Sequence, residues 1–288
     1  MTALPRATAV DPVTLSRSAT AIAAADAVFV TAGAGLGVDS GLPDFRGNAG
    51  FWRAYPPFAQ LGLSFVELAN PVWFARDPAL AWGFYGHRLE LYRRTAPHAG
   101  FEILRRWCAR APRGGFVFTS NVDGHFQQAS FAADRIVECH GSLSHLQCTR
   151  PCGDEIWTAP AALGFDLDPA TMRARAALPR CPHCGALARP NVLMFGDGSW
   201  VSHRTAAQEA RWHAWLRERA EARLVVIELG AGDAVPTVRQ TSEAVAAPPG
   251  ATLIRINPRE AAGPRGTLSL AGGALAALQE LDRRLGAI

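Results

Sequence analysis

The sequence predicts an α/β fold: a mostly parallel, doubly wound sheet interrupted by a small cysteine-bearing module. Three observations predict it. Short runs rich in β-branched and aromatic residues recur at 28–31, 116–119, 136–139, 192–195, 224–229 and 252–256. Stretches of helical character separate most of them, and that alternation marks a parallel sheet with helices on both faces. Four of the six cysteines fall in 141–190, a stretch with few long apolar runs and several prolines.

Taken in order, residues 12–25 read as a helix, with Asp11 as N-cap and Pro12 at the first helical position. The apolar run ending at Val30 is a buried strand. Residues 48–84, rich in aromatics and prolines, suggest a helical lobe with loops. Helices are expected at 80–95 and 101–110, then strands at 116–119 and 136–139. After the cysteine module come a strand at 192–195, a helix near 205–221, strands at 224–229 and 252–256, and a last helix at 271–285.

Composition narrows the class. At 288 residues and 49% apolar, the chain can bury a substantial core, which excludes global disorder. No uninterrupted apolar run reaches the ~18–20 residues that span a bilayer, and the first residues lack a charged, apolar leader pattern. A cytoplasmic protein that needs no membrane is the expectation. The net charge is +4, the fixed cations are all arginine, and lysine is absent. The arginines are scattered, so solvated helix faces are expected and nucleic acid is not.

Several motifs carry chemistry. After the first strand, Gly33, Gly35 and Gly37 fall within five residues. Glycines at a strand end let backbone N–H groups approach a phosphate, as in a dinucleotide-binding turn. A second turn, Gly41-Leu42-Pro43, then delivers Asp44, Phe45 and Arg46, which a plain hydride-transfer enzyme does not require. Ser120, Asn121 and Asp123 follow the second strand, where ligands of open α/β sheets bind, although Asn and Asp also simply close turns. His140 follows the third strand. A near-neutral imidazole is a natural general base for a hydroxyl, but a lone histidine there is also a common structural residue. Gly230 and Gly232 end the strand at 224–229 and offer backbone to a phosphate or ribose. Asn257 ends the next, where it could reach a ribose hydroxyl, although both motifs also occur as plain turns after strands. Cys148-x3-Cys152 and Cys181-x2-Cys184 have the spacing of a closed, structural Zn²⁺ site. His183 is a lesser candidate ligand.

GAG-x4-SG-x-PDFRG, T-x-NVD, HGSL, the two cysteine pairs, RPNVLMFGD, a Gly-x-Gly strand end and an Ile-Asn pair occur in this order. Together they resemble the sirtuin family of NAD-dependent protein deacylases. The resemblance implies a Rossmann-like NAD-binding domain from 1–47, 85–140 and 190–288. The smaller domain would combine the helical lobe at 48–84 with a zinc module at 141–189. By similarity, Ala34 and Gly35 would cradle the NAD pyrophosphate, and Asp44, Phe45 and Arg46 would border the nicotinamide and its ribose. Asn121 and Asp123 would hold ribose and carboxamide, and His140 would be the general base. The family's chemistry expels nicotinamide from NAD by attack of the acyl-lysine oxygen, and yields free lysine and O-acyl-ADP-ribose. The strand comprising Leu193, Phe195 and Gly196 would pair with an acyl-lysine peptide by strand addition.

Tyr85 and Arg88 stand at i and i+3, as in sirtuins that capture the distal carboxylate of succinyl- or malonyl-lysine. The alternative is an ordinary amphipathic helix whose Arg88 faces water or Glu90. Ser120, Gly37 and Gly232 depart from the usual Gln, Ser and Ser of the family, and Asp197 replaces Glu. Those departures keep a second reading open, ADP-ribosyl transfer or NAD hydrolysis in the same cleft. A non-enzymatic NAD-binding module is disfavoured by His140, Asn121 and Asp123 together, because binding alone needs no base.

Overall fold

A computed structural model describes residues 11–43, 47–150, 152–175, 177–219 and 221–287. Its six-stranded sheet is wholly parallel, in the order β3-β2-β1-β7-β8-β9. These strands are β1 (Ala27–Ala32), β2 (Gly115–Thr119), β3 (Ile136–Glu138), β7 (Leu224–Leu229), β8 (Thr252–Ile256) and β9 (Leu268–Leu270). β4 (Gly141–Cys148), β5 (Ile156–Thr158) and β6 (Ala188–Val192) form a separate antiparallel sheet, in the order β5-β4-β6.

The alternation along β1 shows why both faces of the main sheet are covered. Val28, Val30 and Ala32 enter one core, with Leu15 and Ile22 of α1 (Pro12–Ala23). Phe101 and Leu104 of α7 (Ala99–Arg110) and Leu278 and Leu281 of α11 (Ala274–Leu285) complete it. Ala27 and Phe29 point the other way, toward Trp212 and Trp215 of α9 (His203–Arg217) and Val238 of α10 (Thr237–Ala246). Phe29 stacks on Trp212 with ring centroids 5.7 Å apart. Successive side chains of a strand face opposite sides, so a strand buried along its whole length needs two partner layers. α1 begins as the sequence indicates: the Asp11 carboxylate accepts from the Val13 and Thr14 N–H groups, and Pro12 leads the first turn.

A third core lies outside the main sheet. The short helices α2 (Gly47–Ala54), α3 (Pro56–Gln60), α4 (Phe65–Leu68) and α5 (Trp73–Arg76) enclose Phe51, Phe58, Leu68 and Phe74. α6 (Pro78–Arg94) runs across the boundary expected at 84/85, and its Trp82, Phe84, Tyr85, Leu89 and Tyr92 join the same cluster. So do Leu143 and Leu146 of β4 and Val192 of β6. The helical lobe and the small sheet therefore share one core. α8 (His125–Gln128) is a single turn after the second strand.

The structure corrects one element outright. The strand expected at 192–195 is instead β6, ending at Val192 and paired with β4 in the small sheet. An apolar run continues through Leu193, Met194 and Phe195, but Gly196 turns with φ +68° and Asp197 is tied back to Arg189. β9 and α10 were not expected, since their short apolar runs carry little periodicity.

Candidate active site

Because the six strands are parallel, their carboxyl ends lie along one edge. That edge gathers Gly33 to Gly35, Ser120 to Asp123, His140, Gly230 to Gly232 and Asn257. From β1 the chain adds β2 and β3 on one side, whereas β7, β8 and β9 build the other. The order therefore reverses between β1 and β7, and ligands of open α/β sheets bind at such a switch point.

The loops after β1 and β7 interlock there. Gly33 N donates to Leu229 O at 3.0 Å, and Gly35 N donates to Gly230 O at 3.0 Å. Gly230 has φ +61°, and a Cβ on it would lie 2.4 Å from the Gly35 carbonyl carbon. Only glycine fits both constraints. After Gly33 the chain forms a 3₁₀ segment, Ala34–Ser40, in place of the long helix of a usual dinucleotide fold. His98 supports it from below: its Nε2 lies 3.0 Å from Leu36 O, while Nδ1 accepts from Gly100 N. Asp44, Phe45 and Arg46 lie outside the described residues.

Asn121 is bound into this loop, with its Nδ2 donating to Gly33 O at 3.1 Å. Thr119 sets it up, because its hydroxyl donates to Ala32 O and accepts from Asn121 N. Ser120 is held through its backbone, its N–H donating to Ala32 O. The Asp123 carboxylate accepts from His125 N, and burial raises its pKa in spite of that bond. Asn257 is fully buried, donates to Ala231 O and accepts from Arg259 N and Glu260 N. The first bond ties it to the loop after β7, and the other two shape its own loop after β8.

His140 follows β3, where α9 clamps the strand end through Gln208 to Glu138 N and through Thr205 to Glu138 O. Burial lowers its pKa below the ordinary 6.5, with the Ser120 carbonyl acting the other way. The imidazole is therefore neutral at neutral pH, as a general base requires. The next residue must be glycine: Gly141 has φ +77°, and a Cβ there would meet Asn191 O at 2.1 Å.

Leu193 N donates to His140 O, and Phe195 N donates to Ala69 O, so the 193–196 segment bridges the two lobes beside the histidine. Leu193 and Phe195 are among the few exposed large apolar residues. Beneath them Arg189 and Asp197 form a buried two-bond ion pair, at 2.7 and 3.0 Å. Sequence reasoning missed this pair, although both residues stand in the motif RPNVLMFGD.

Tyr85 and Arg88 are brought together as expected, but inside the protein: they are 1% and 7% exposed. The water-facing alternative is thereby excluded. Glu90 turns elsewhere, accepting from Phe165 N at 2.6 Å. Gly37 and Gly232 show no left-handed backbone. Cβ atoms on them would lie 3.3 Å from Leu42 Cδ1 and Glu260 Oε2 respectively. Neither glycine is demanded by backbone conformation.

Outside the cleft, the sulfurs of Cys148, Cys152, Cys181 and Cys184 all lie within 4.8 Å of one another, with two pairs at 3.6 Å. Four thiolates around one zinc at ~2.3 Å sit ~3.8 Å apart, so the quartet fits a structural Zn²⁺. His183 turns its Nε2 to Glu155. The remaining cysteines, Cys108 and Cys139, are pushed up to about 12 by burial and are inert thiols. Among the described residues no helix is long and apolar enough to cross a membrane.

Comparison with known proteins agrees with this geometry. A family model described as the Sir2 family matches residues 33–216. The chain is 30% identical over 228 residues to an NAD-dependent protein deacylase of Aquifex aeolicus, covering 79% of this chain and 82% of that one. It is 35% identical over 184 residues to the mitochondrial NAD-dependent protein deacylase sirtuin-5 of Canis lupus familiaris, covering 59% and 56%. A crystal structure of a Sir2 homolog–NAD complex superposes with a TM-score of 0.71 at 26% identity, covering 94% of this chain and 93% of that one.

Proposed function

The chain belongs to the Sir2 family, and from that premise we propose NAD-dependent removal of acyl groups from lysine side chains of proteins, with His140 as general base. One water is consumed after nicotinamide has left, and the products are nicotinamide, the free lysine and O-acyl-ADP-ribose. One observation carries the assignment. The interlocked Gly33–Gly35 and Gly230 loops at the switch point between β1 and β7, the Asn121 tethered to them and the neutral His140 after β3 share one sheet edge.

NAD supplies a ribose carbon that accepts the acyl oxygen as nicotinamide departs. The protein's own groups orient, exclude water and move a proton. The backbone at Ala34, Gly35, Gly230 and Gly232 would face the phosphates and ribose. Asn121 and Asp123 would face the nicotinamide ribose and amide, with Asp44, Phe45 and Arg46 closing the site. His140 would take the proton of a ribose hydroxyl. The acylated protein would lie against Leu193, Phe195 and Gly196, and Zn²⁺ would stay structural, at Cys148, Cys152, Cys181 and Cys184. Free, metal-spaced cysteines suit the reducing cytoplasm, where we place the protein.

The burial of Tyr85 and Arg88 supports a preference for succinyl- or malonyl-lysine, because a desolvated guanidinium gains most from a carboxylate. Incubation with NAD and matched acetyl-, succinyl- and malonyl-lysine peptides, read by mass spectrometry, tests both readings. O-acyl-ADP-ribose should form, with the largest kcat/KM for an acidic acyl group. Nicotinamide release without peptide turnover would instead favour ADP-ribosyl transfer or NAD hydrolysis.

A further inference from the structure

We propose that Tyr92 is a positioning residue that aims Arg88 at the distal carboxylate of an acidic acyl-lysine, a role that rests on the acyl preference just described. Tyr92 follows Arg88 by one helical turn on α6, so the two side chains share a face. Its hydroxyl oxygen accepts from Arg88 Nε at 3.0 Å and from Nη2 at 2.9 Å. Two bonds to adjacent nitrogens of a planar fork fix both the position of the guanidinium and its plane. They thereby set the direction in which Nη1 projects.

The surroundings hold that pose. The guanidinium carbon lies 5.2 Å from the ring centroid of Phe84, 5.4 Å from Tyr92, 5.9 Å from Tyr85 and 6.0 Å from Phe65. These faces favour a cation over water. Tyr92 is 6% exposed, and burial raises its pKa above the ordinary 10, so the hydroxyl stays neutral. A phenol orients the cation without itself adding negative charge, which would repel an incoming carboxylate. The base of Tyr92 is fixed as well, since its carbonyl accepts from Gln128 Nε2 at 3.2 Å.

Tyr92→Phe removes one oxygen and keeps the ring. Its KM for succinyl-lysine peptide should rise about tenfold, as loss of charge-assisted hydrogen bonds predicts, with kcat within about twofold of wild type. Acetyl-lysine, which carries no carboxylate, should be turned over within about twofold of wild type in both kcat and KM. In a cycle with Arg88→Ala, the double variant should be no worse on succinyl-lysine than Arg88→Ala alone. Parallel loss on both substrates, an unchanged succinyl KM, or loss of cooperative thermal unfolding in Tyr92→Phe would each overturn the role. Wild-type enzyme that turned over acetyl-lysine alone would overturn the acidic-acyl reading itself, and the role of Tyr92 with it. An acidic-acyl preference left intact by Tyr92→Phe would overturn only the latter.

Discussion

His140 owes its assigned role to its surroundings. Burial in the cleft lowers its pKa below 6.5, so the imidazole keeps its lone pair through the neutral range. The sign follows directly: a base works while neutral, so kcat/KM should hold at neutral pH and fall as pH drops through that lowered pKa. His140→Ala should abolish acyl transfer to the nucleotide, and thermal unfolding should remain cooperative, because no strand or helix depends on the ring. Retained O-acyl-ADP-ribose formation in that variant would reject the histidine as base. At the residue scale the cysteine quartet was legible, because two close cysteine pairs have few other uses. Asn121 and His140 stood out only beside the other strand-end motifs, since each alone also suits a turn or a structural role. Tyr92 was not legible. A tyrosine in an amphipathic helix carries no signal until the fold turns it onto Arg88.

At the scale of an element, the segment after β6 depends on one ion pair. Arg189 and Asp197 have side chains only 2% and 0% exposed, and their two bonds close the turn that presents Leu193 to Gly196. The same carboxylate also accepts from Met194 N and Ser199 N. Removing one partner of a buried pair leaves the other charge unpaired in a poor solvent, at a cost of about 3–5 kcal/mol. Asp197→Asn retains an acceptor and should sit at or below the low end, about 2–3 kcal/mol by urea unfolding. On the proposed strand addition, peptide KM should rise with it, because the segment that would pair with the peptide loosens. A loss under about 1 kcal/mol, typical of an exposed pair, would show that the pair does not hold this turn. Sequence periodicity misplaced the strand here for a physical reason. The apolar run from Val192 to Phe195 is continuous, whereas the hydrogen bonds that define β6 stop at Val192.

For the molecule as a whole, the parallel sheet and the cysteine module were readable because alternation and paired cysteines are local patterns. The sharing of one core between the helical lobe and the small sheet was not, since Phe51, Tyr85 and Leu143 meet only through long-range packing. Burial of histidines across both lobes has a global consequence. His87, His98, His140 and His145 all have pKa values lowered chiefly by burial, His145 to about 4, where the Arg204 charge adds to the effect. In the unfolded chain they take up protons from about pH 6.5 downward, while the folded protein resists. The unfolded state thus binds more protons over that range, and stability falls as pH drops through it. Asp123, raised by burial, acts in the opposite sense, but only near and above the ordinary 3.8 of a carboxyl. Asp26 and Glu280, both lowered to about 2 by arginine partners, extend the loss at still lower pH. The melting temperature should accordingly be flat above pH 7 and decline between about 6.5 and 4. His145→Gln keeps a polar side chain of similar size at the same place on β4 and cannot titrate. It should flatten the decline measurably, and an unchanged slope would show that His145 is not among the groups that set it.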